Sequence, residues 1–511
     1  MVTSVVSILI ASRAVLTIAD TDLWGHVRFG QDILRIGAVP LQDTYSYLTG
    51  SSKWINHEWL AEVIFALFYN AGGAPALVAL KSFFVIVISL LLWRTLLKGG
   101  FGLVSAAAFM IFIQVLLASA FPPLRPNLFS CLFITLELLI LTAYAKKIVA
   151  AERSLIILFL PVLFLFWANS HGGFIMGLII LMVWWLTVFA ETIWSRNWQR
   201  LIQQGWPFFM IVPITVAATI VNPYGCELLS YLVRTNGVVR TFYMKGPFVS
   251  EWQPLFKVSI VYGAYYVITA AFTIASLFFS RRPKHLGLLM VWLMLAAVAL
   301  IIYRALPLFG IATVILASTH LADCWSRLYI NIAEKRYAYW MVCTAISTAV
   351  FFSAAGLMSQ LSGIPGQLVF CIPMPVRAVS LLKQMKSQAN TLVEFNWAEY
   401  FIWHLGPQMK VAIDPRCETV YSDYCLYYLY GQFVTADRHW DDIIDKYPTD
   451  LVLIGPNTKV SQLMELKSGW VKIYADSTCC LFAKEGSQIQ KRFKAVTQIN
   501  FPESATLNTF P

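Results

Sequence analysis

About eleven apolar runs recur along this chain, each long enough to cross a hydrocarbon core of roughly 30 Å. They fall near residues 2–19, 75–97, 101–119, 127–145, 154–168, 173–194, 206–221, 259–280, 286–302, 305–322 and 338–357. Lipid offers no partner to a backbone N–H or C=O, so runs of this kind must be helices. A soluble enzyme is excluded. Composition agrees, because only 13% of residues are charged, against roughly a quarter in soluble domains. No small-residue cleavage site follows residues 2–19, which therefore read as a first span and not as a removable signal.

The net charge of +11 would suit nucleic acid if it were clustered. Instead the basic residues sit in alternate short loops: Lys98; Lys146, Lys147 and Arg153; Arg196 and Arg200; Arg281, Arg282 and Lys284; Arg327, Lys335 and Arg336. Basic residues concentrate on the cytoplasmic side of a membrane. One topology satisfies every loop, with the N-terminus cytoplasmic and residues 20–74, 223–258 and everything after about 358 outside. The expected setting is the inner (cytoplasmic) membrane, crossed many times, with the active site and C-terminal domain facing the extracytoplasmic side. The nine cysteines show no zinc-type spacing.

The first outer loop has its own pattern. Residues 22–36 read as an amphipathic helix ending at Gly37, and 57–70 as a second ending at Gly72-Gly73. Such helices lie along a membrane surface, with Trp24, Trp54 and Trp59 at headgroup depth. The chain changes character after the last span. A helix over 375–388 and short β-like runs at 390–395, 410–414, 450–455, 470–476 and 478–483 predict a small α/β domain. The expected division is a transmembrane catalytic domain over 1–357, an extracytoplasmic α/β domain over 358–484 and a polar tail over 485–511.

Polar residues that membrane stability does not require gather on the outer side. Asp20 and Asp22 follow the first span. Arg28 lies on the first amphipathic helix, and His57, Glu58 and Glu62 open the second. Arg125 lies in PPLRPN, His171 in WANSHGG, Glu251 in SEW and Arg304 in YRALP. Each has a plain reading: Asp as a helix cap, arginines as interface anchors, His171 as a helix-end hydrogen bonder, Glu62 on a solvated face. Arg125 and Arg304 fit theirs least, since basic residues are disfavoured in short outer loops. Taken together, carboxylates supply a base or metal ligands, and arginines hold phosphate. Membrane access then suits a substrate with a lipid tail and a phosphate head.

The stretch ADTDLWGHVRFGQDILRIGAVPLQDTYSYLTGSSKWINHEWLAEVIFALFYNAGG resembles the first outer loop of bacterial members of the GT-C glycosyltransferase superfamily. Relatives include protein O-mannosyltransferases, lipid A aminoarabinose transferases and oligosaccharyltransferases. The likeness continues through LRPNLFS, WANSHGGFIMGL, NPYG, SEW and YRALPLF into FNWAEYFIWHL and KVAIDPR. It implies a GT-C-like polytopic helical fold with about eleven transmembrane helices, two amphipathic helices in the first outer loop and a small C-terminal α/β domain. It also implies a polyprenyl-phosphate-linked sugar donor, an extracytoplasmic acceptor (protein, lipid or glycan) and inverting displacement. In relatives the catalytic acid stands about four residues before the aromatic that starts the amphipathic helix, which points to Asp20, with Asp22 second. The Asp-x-Asp spacing alternatively holds a divalent cation, Mg or Mn. The resemblance gives donor-phosphate or substrate contacts to Arg28, His57, Glu58, Arg125, His171, Glu251 and Arg304. The chain departs from relatives at Thr21, where several carry a second acid, and at Gly25, where a bulky aromatic is expected and its loss widens the groove. Competing classes are a lipid-linked sugar transporter or flippase, a polysaccharide polymerase or ligase, and a non-catalytic membrane assembly protein.

Overall fold

The computed structural model describes residues 18–50, 52–118, 120–121, 123–150, 152–196, 198–232, 250–333, 368–370, 372–496 and 509–510. Apart from Ile18 and Ala19, the expected first span lies outside these residues, as does the expected last span at 338–357.

The first amphipathic helix, α1, runs Leu23–Ile36 and stops at Gly37. The second opens α2, Trp59–Gly99, which is broken at Gly72 and Gly73. Gly73 sits at φ 60°, ψ −150°, a conformation essentially reserved for glycine. The break separates an amphipathic first half from an apolar second half that begins at Pro75. The following helices are α3 (Leu103–Leu117), α4 (Asn127–Val149), α5 (Phe159–Ser170), α6 (Phe174–Ser195), α7 (Trp206–Thr219), α8 (Ile260–Phe279), α9 (Leu286–Ile301) and α10 (Leu306–Ala333). Among the described residues, five helices are long and apolar enough to cross a membrane, and four shorter apolar helices accompany them. These correspond one for one to the expected spans from 75–97 to 305–322.

The described residues form two compact units. The first holds the apolar helices from Pro75 onward. Here α5 packs on α7, α6 on α9, and α8 and α9 on α10. Trp167, Trp184 and Trp292 fill its interior. Its outer surface carries Phe83, Leu90, Phe159, Leu186, Ile260, Ile268 and Phe278, an apolar exterior that a bilayer tolerates and water does not. Threonine hydroxyls inside the helices donate to carbonyls four residues back, as Thr135 does to Cys131 and Thr273 to Thr269, both at 2.7 Å.

The second unit joins residues 18–74 to the described chain from 368 onward. Its main sheet has the order β4-β3-β5-β7-β6, built from β3 (Ala389–Val393), β4 (Met409–Val411), β5 (Leu451–Ile454), β6 (Trp470–Ala475) and β7 (Cys480–Lys484). β3 pairs in parallel with β4 and β5, while β7 runs antiparallel to β5 and β6. Helices α11 (Val376–Met385) and α12 (Ala398–Leu405) flank β3 in sequence. A smaller sheet places β2 (Leu368–Phe370) between β1 (Ile18–Ala19) and β8 (Thr509–Phe510). Part of the expected polar tail is therefore ordered. Its helix Gln488–Val496 repeats apolar residues at Ile489, Phe493 and Val496, and Phe493 is fully buried.

The loop between α1 and α2 is tied to the sheet by backbone bonds of Tyr45 and Tyr47 to Val411 and by a buried arginine. Arg416, in KVAIDPR, donates through Nε and Nη2 to Asp414 at 2.8 and 2.7 Å, and its Nη1 stands 2.8 Å from Asp43. Its guanidinium is 4.7 Å from the Trp54 ring and 5.2 Å from each of Phe29 and Tyr45. Ser46 adds a bond to the Ala412 carbonyl at 2.8 Å. Burial alone would disfavour the charge on Arg416, and Asp414 and Asp43 more than restore it.

Candidate functional site

The acidic turn of the second unit precedes α1. Asp20 Oδ1 accepts the Asp22 amide at 3.0 Å, and the Asp20 carbonyl accepts Leu23 N–H at 3.2 Å. Asp22 occupies the N-cap position but makes no side-chain capping bond. The cap comes from elsewhere. Glu399, buried on α12, accepts the Gly25 amide through Oε2 at 3.0 Å. A Cβ on residue 25 would lie 2.2 Å from that carboxyl. The small residue at 25 therefore makes room for Glu399, and the expected wider groove is filled. Burial, with Asp22 and Asp414 nearby, pushes the Glu399 carboxyl well above the usual range; Arg416 and the Gly25 amide oppose this.

One turn further on, His26 Nδ1 lies 3.5 Å from Glu62 and 3.9 Å from Glu58, and His57 Nε2 lies 3.7 Å from Glu58. Glu62 is buried and also accepts from Asn56, so it does not occupy the solvated face expected of it. Burial pulls His26 toward its neutral form, but Glu62, Glu58 and Asp22 together outweigh it and raise its pKa. Arg28 is committed locally, donating to Asp32 at 3.0 Å and to the Gly406 carbonyl at 3.2 Å.

Trp24 and Trp54 are core residues of this unit, each 2% exposed, and not headgroup anchors. Trp24 packs among Phe370, Tyr400, Trp403, His404 and Phe510. Trp54 packs on Phe29 and Tyr45 beneath Arg416. Residues far along the chain supply the partners of Trp24 and the guanidinium over Trp54.

The membrane unit holds a second polar centre. Arg125 lies just before α4, and Arg304 lies in the turn Tyr303–Ala305 before α10. Arg125 Nη1 donates to Glu251 Oε2 at 3.1 Å, and Arg304 Nη1 donates to Oε1 at 3.0 Å. Each guanidinium thus takes one oxygen of the same carboxylate. Trp252 flanks Arg304 at 5.3 Å, and the Tyr303 amide donates to the Gln253 carbonyl at 2.9 Å, tying the segment of Glu251 to that of Arg304. All three side chains are between 21% and 28% exposed. His171 serves its own turn: Nδ1 accepts the Gly173 amide at 3.0 Å and is 2.7 Å from the Ser130 hydroxyl, which accepts from Trp167.

The structure therefore brings Arg125, Glu251 and Arg304 together, and separately His26, His57 and Glu58. Sequence reasoning missed Glu399, Asp414 and Arg416. A lone acid inside apolar FNWAEYFIWHL, and the D-x-R after a strand in KVAIDPR, were the available signals. Among the described residues, no group of three or more His, Cys, Asp or Glu side chains could hold a metal ion.

No protein-family profile matches the sequence, and no curated protein matches it either. Solved structures do match. The archaeal oligosaccharyltransferase AglB from Archaeoglobus fulgidus, in complex with an inhibitory peptide and a dolichol-phosphate, superposes with a TM-score of 0.56 at 11% identity, covering 98% of this chain and 75% of that one. The apo form of the Archaeoglobus fulgidus oligosaccharyltransferase gives 0.57 at 12% identity, over 89% and 69%. ArnT from Cupriavidus metallidurans, bound to undecaprenyl phosphate, gives 0.48 at 11%, over 95% and 97%. The fold is GT-C-like. With its apolar helices, the chain is a membrane protein.

Proposed function

We propose that this GT-C-like protein is a glycosyltransferase that moves a sugar from a polyprenyl-phosphate-linked donor to an extracytoplasmic acceptor. The observation that carries the reading is the convergence of Arg125 and Arg304 on the two oxygens of Glu251. Two guanidiniums on one planar anion form a socket for phosphate, with Glu251 as its internal occupant. The solved oligosaccharyltransferase in complex with a dolichol-phosphate, which shares this fold, supports the reading.

Asp20 or Asp22 takes the proton of the acceptor hydroxyl. The freed oxygen attacks the anomeric carbon and forms the new glycosidic bond. The bond from that carbon to the phosphate oxygen breaks, and the polyprenyl phosphate leaves with the electron pair. Arg125 and Arg304 stabilise its charge. Attack opposite the leaving group inverts the anomeric centre. A divalent cation, Mg or Mn, at Asp20 and Asp22 is proposed beside this scheme, and chelation followed by adding back each metal tests it. The setting is the inner membrane with the acidic turn outside.

The test is sugar transfer by purified protein supplied with polyprenyl-phosphate sugars. Asn cannot serve as a base, and Asp22 makes no side-chain cap that would be lost. Asp→Asn at the catalytic position should therefore keep thermal stability near wild type and lower turnover by a factor on the order of 100 to 10,000. A double Asp20→Asn, Asp22→Asn variant that transfers at the wild-type rate would overturn the mechanism.

A further inference from the structure

The N-terminus of α1 is held by a residue that the proposed chemistry does not use. Helices leave their first amides without intrahelical partners, and a side-chain acceptor normally satisfies one of them. Here the residue at the capping position, Asp22, makes no such bond. The Gly25 amide, third in the helix, is instead bonded to Glu399 at 3.0 Å. The acceptor comes from 374 residues away in the chain and is buried. The fit is tight, since any side chain at residue 25 would put a carbon 2.2 Å from the Glu399 carboxyl. Glu399 sits one turn into the chain after β3, on α12, which packs along α1. Helix α12 thus reaches the first turn of α1, which follows the Asp20–Asp22 turn directly.

We propose that Glu399 is a positioning residue, whose buried carboxyl locks the first turn of α1 and so sets where Asp20 and Asp22 present their carboxylates. This rests on the transferase reading for its consequence in turnover, but the locking itself does not. Capping Asp22 from its own side chain would engage the oxygens that the reaction needs. With Glu399 as the acceptor, the Gly25 amide makes no claim on the Asp22 side chain.

The experiment uses the full-length protein in lipid nanodiscs and three variants. Glu399→Met fills the same space without an acceptor. Glu399→Gln keeps an acceptor oxygen. Gly25→Ala forces the carboxyl away. Amide hydrogen exchange over residues 22–26 and sugar transfer from a labelled polyprenyl-phosphate sugar are both measured. Exchange should rise at least about tenfold in Glu399→Met and Gly25→Ala, because a buried amide has lost its partner. Turnover should fall about tenfold or more in both, with donor KM within about twofold of wild type. Glu399→Gln should restore both readouts. Wild-type exchange and turnover in Glu399→Met would overturn the proposal, as would Glu399→Gln failing as badly as Met. Should the wild-type protein transfer no sugar while exchange still rises in Glu399→Met, the transferase reading falls and the lock stands.

Discussion

Two arginine centres among the described residues are built on opposite principles. Arg416 is 7% exposed as a residue, with Asp43 and Asp414 at 0%. It is closed in by three aromatic rings, and its carboxylate partners hold further bonds: Asp414 to Tyr421, and Asp43 to Thr49 and to the amides of Tyr45 and Ser46. Arg125 and Arg304 share a single carboxylate, and about a quarter of each of the three side chains remains open to solvent. The first arrangement leaves no vacancy for a ligand and reads as a structural rivet. The second, on the function proposed above, exchanges its internal anion for an incoming phosphate. Arginine count and spacing do not separate the two; desolvation and the number of competing partners do.

The rivet should break hardest. Arg416→Ala strands two buried carboxylates, and removing one partner of a buried ion pair costs roughly 3–5 kcal/mol. Folded yield and melting temperature should both drop sharply. Arg416→Lys should not rescue, because an ammonium cannot reproduce the fork to Asp414 or the stacking on Trp54. A Lys variant as stable as wild type would erase the distinction drawn here.

The open pair should behave in the reverse way. Arg125→Ala and Arg304→Ala should each cost under about 1 kcal/mol of stability, the usual scale for solvent-accessible ion pairs. Each should weaken polyprenyl-phosphate binding by about tenfold or more, equivalent to about 1.4 kcal/mol, with Lys recovering only part. Unchanged lipid-phosphate affinity in both would reduce them to interface anchors. Glu251→Gln sharpens the point from the other side. It removes the competing negative charge and keeps the shape, so bare polyprenyl phosphate should bind severalfold tighter. Weaker binding would mean that Glu251 orients the arginines and does not compete with phosphate.

This contrast also marks the limit of sequence reading. The break at Gly72-Gly73, the end of α1 at Gly37 and the β-runs of the tail were legible, because local periodicity and backbone preferences write them into neighbouring residues. Arg125 and Arg304 were each legible as an anomaly of charge placement, but their convergence on Glu251 was not. Trp24 and Trp54 were misplaced for one shared reason, whereas Glu62 is buried against His26 and Asn56. An amphipathic helix displays its apolar face to whatever covers it, and the pattern is the same for a headgroup layer or for a packed protein surface. Here the cover is the tail, more than 300 residues downstream: Phe370, Tyr400 and Trp403 over Trp24, and Arg416 over Trp54. Glu399 showed itself in the sequence only as a lone acid in an apolar run, because its partner is a backbone amide that any sequence supplies.

His26 lies between the two extremes, and its effect should be the smallest. Its side chain is 12% exposed, against carboxylates at 3.5 and 3.9 Å rather than in a bonded fork. Glu62, Glu58 and Asp22 favour the imidazolium strongly enough to overcome burial, so the folded pKa lies above the ordinary 6.5. A proton held more tightly in the folded state than in the unfolded chain stabilises the folded state at every pH where the folded ring carries it. The contribution is therefore complete below about pH 6.5, the unfolded value, and disappears as pH rises through the raised folded value. His26→Gln removes it at every pH. The difference in melting temperature between wild type and His26→Gln should be largest near pH 6 and shrink toward pH 8.5, with a maximum worth about 1 kcal/mol or less. A pH-independent difference for His26 would mean that the ring stays neutral among its acids, and that Glu62 carries the proton instead.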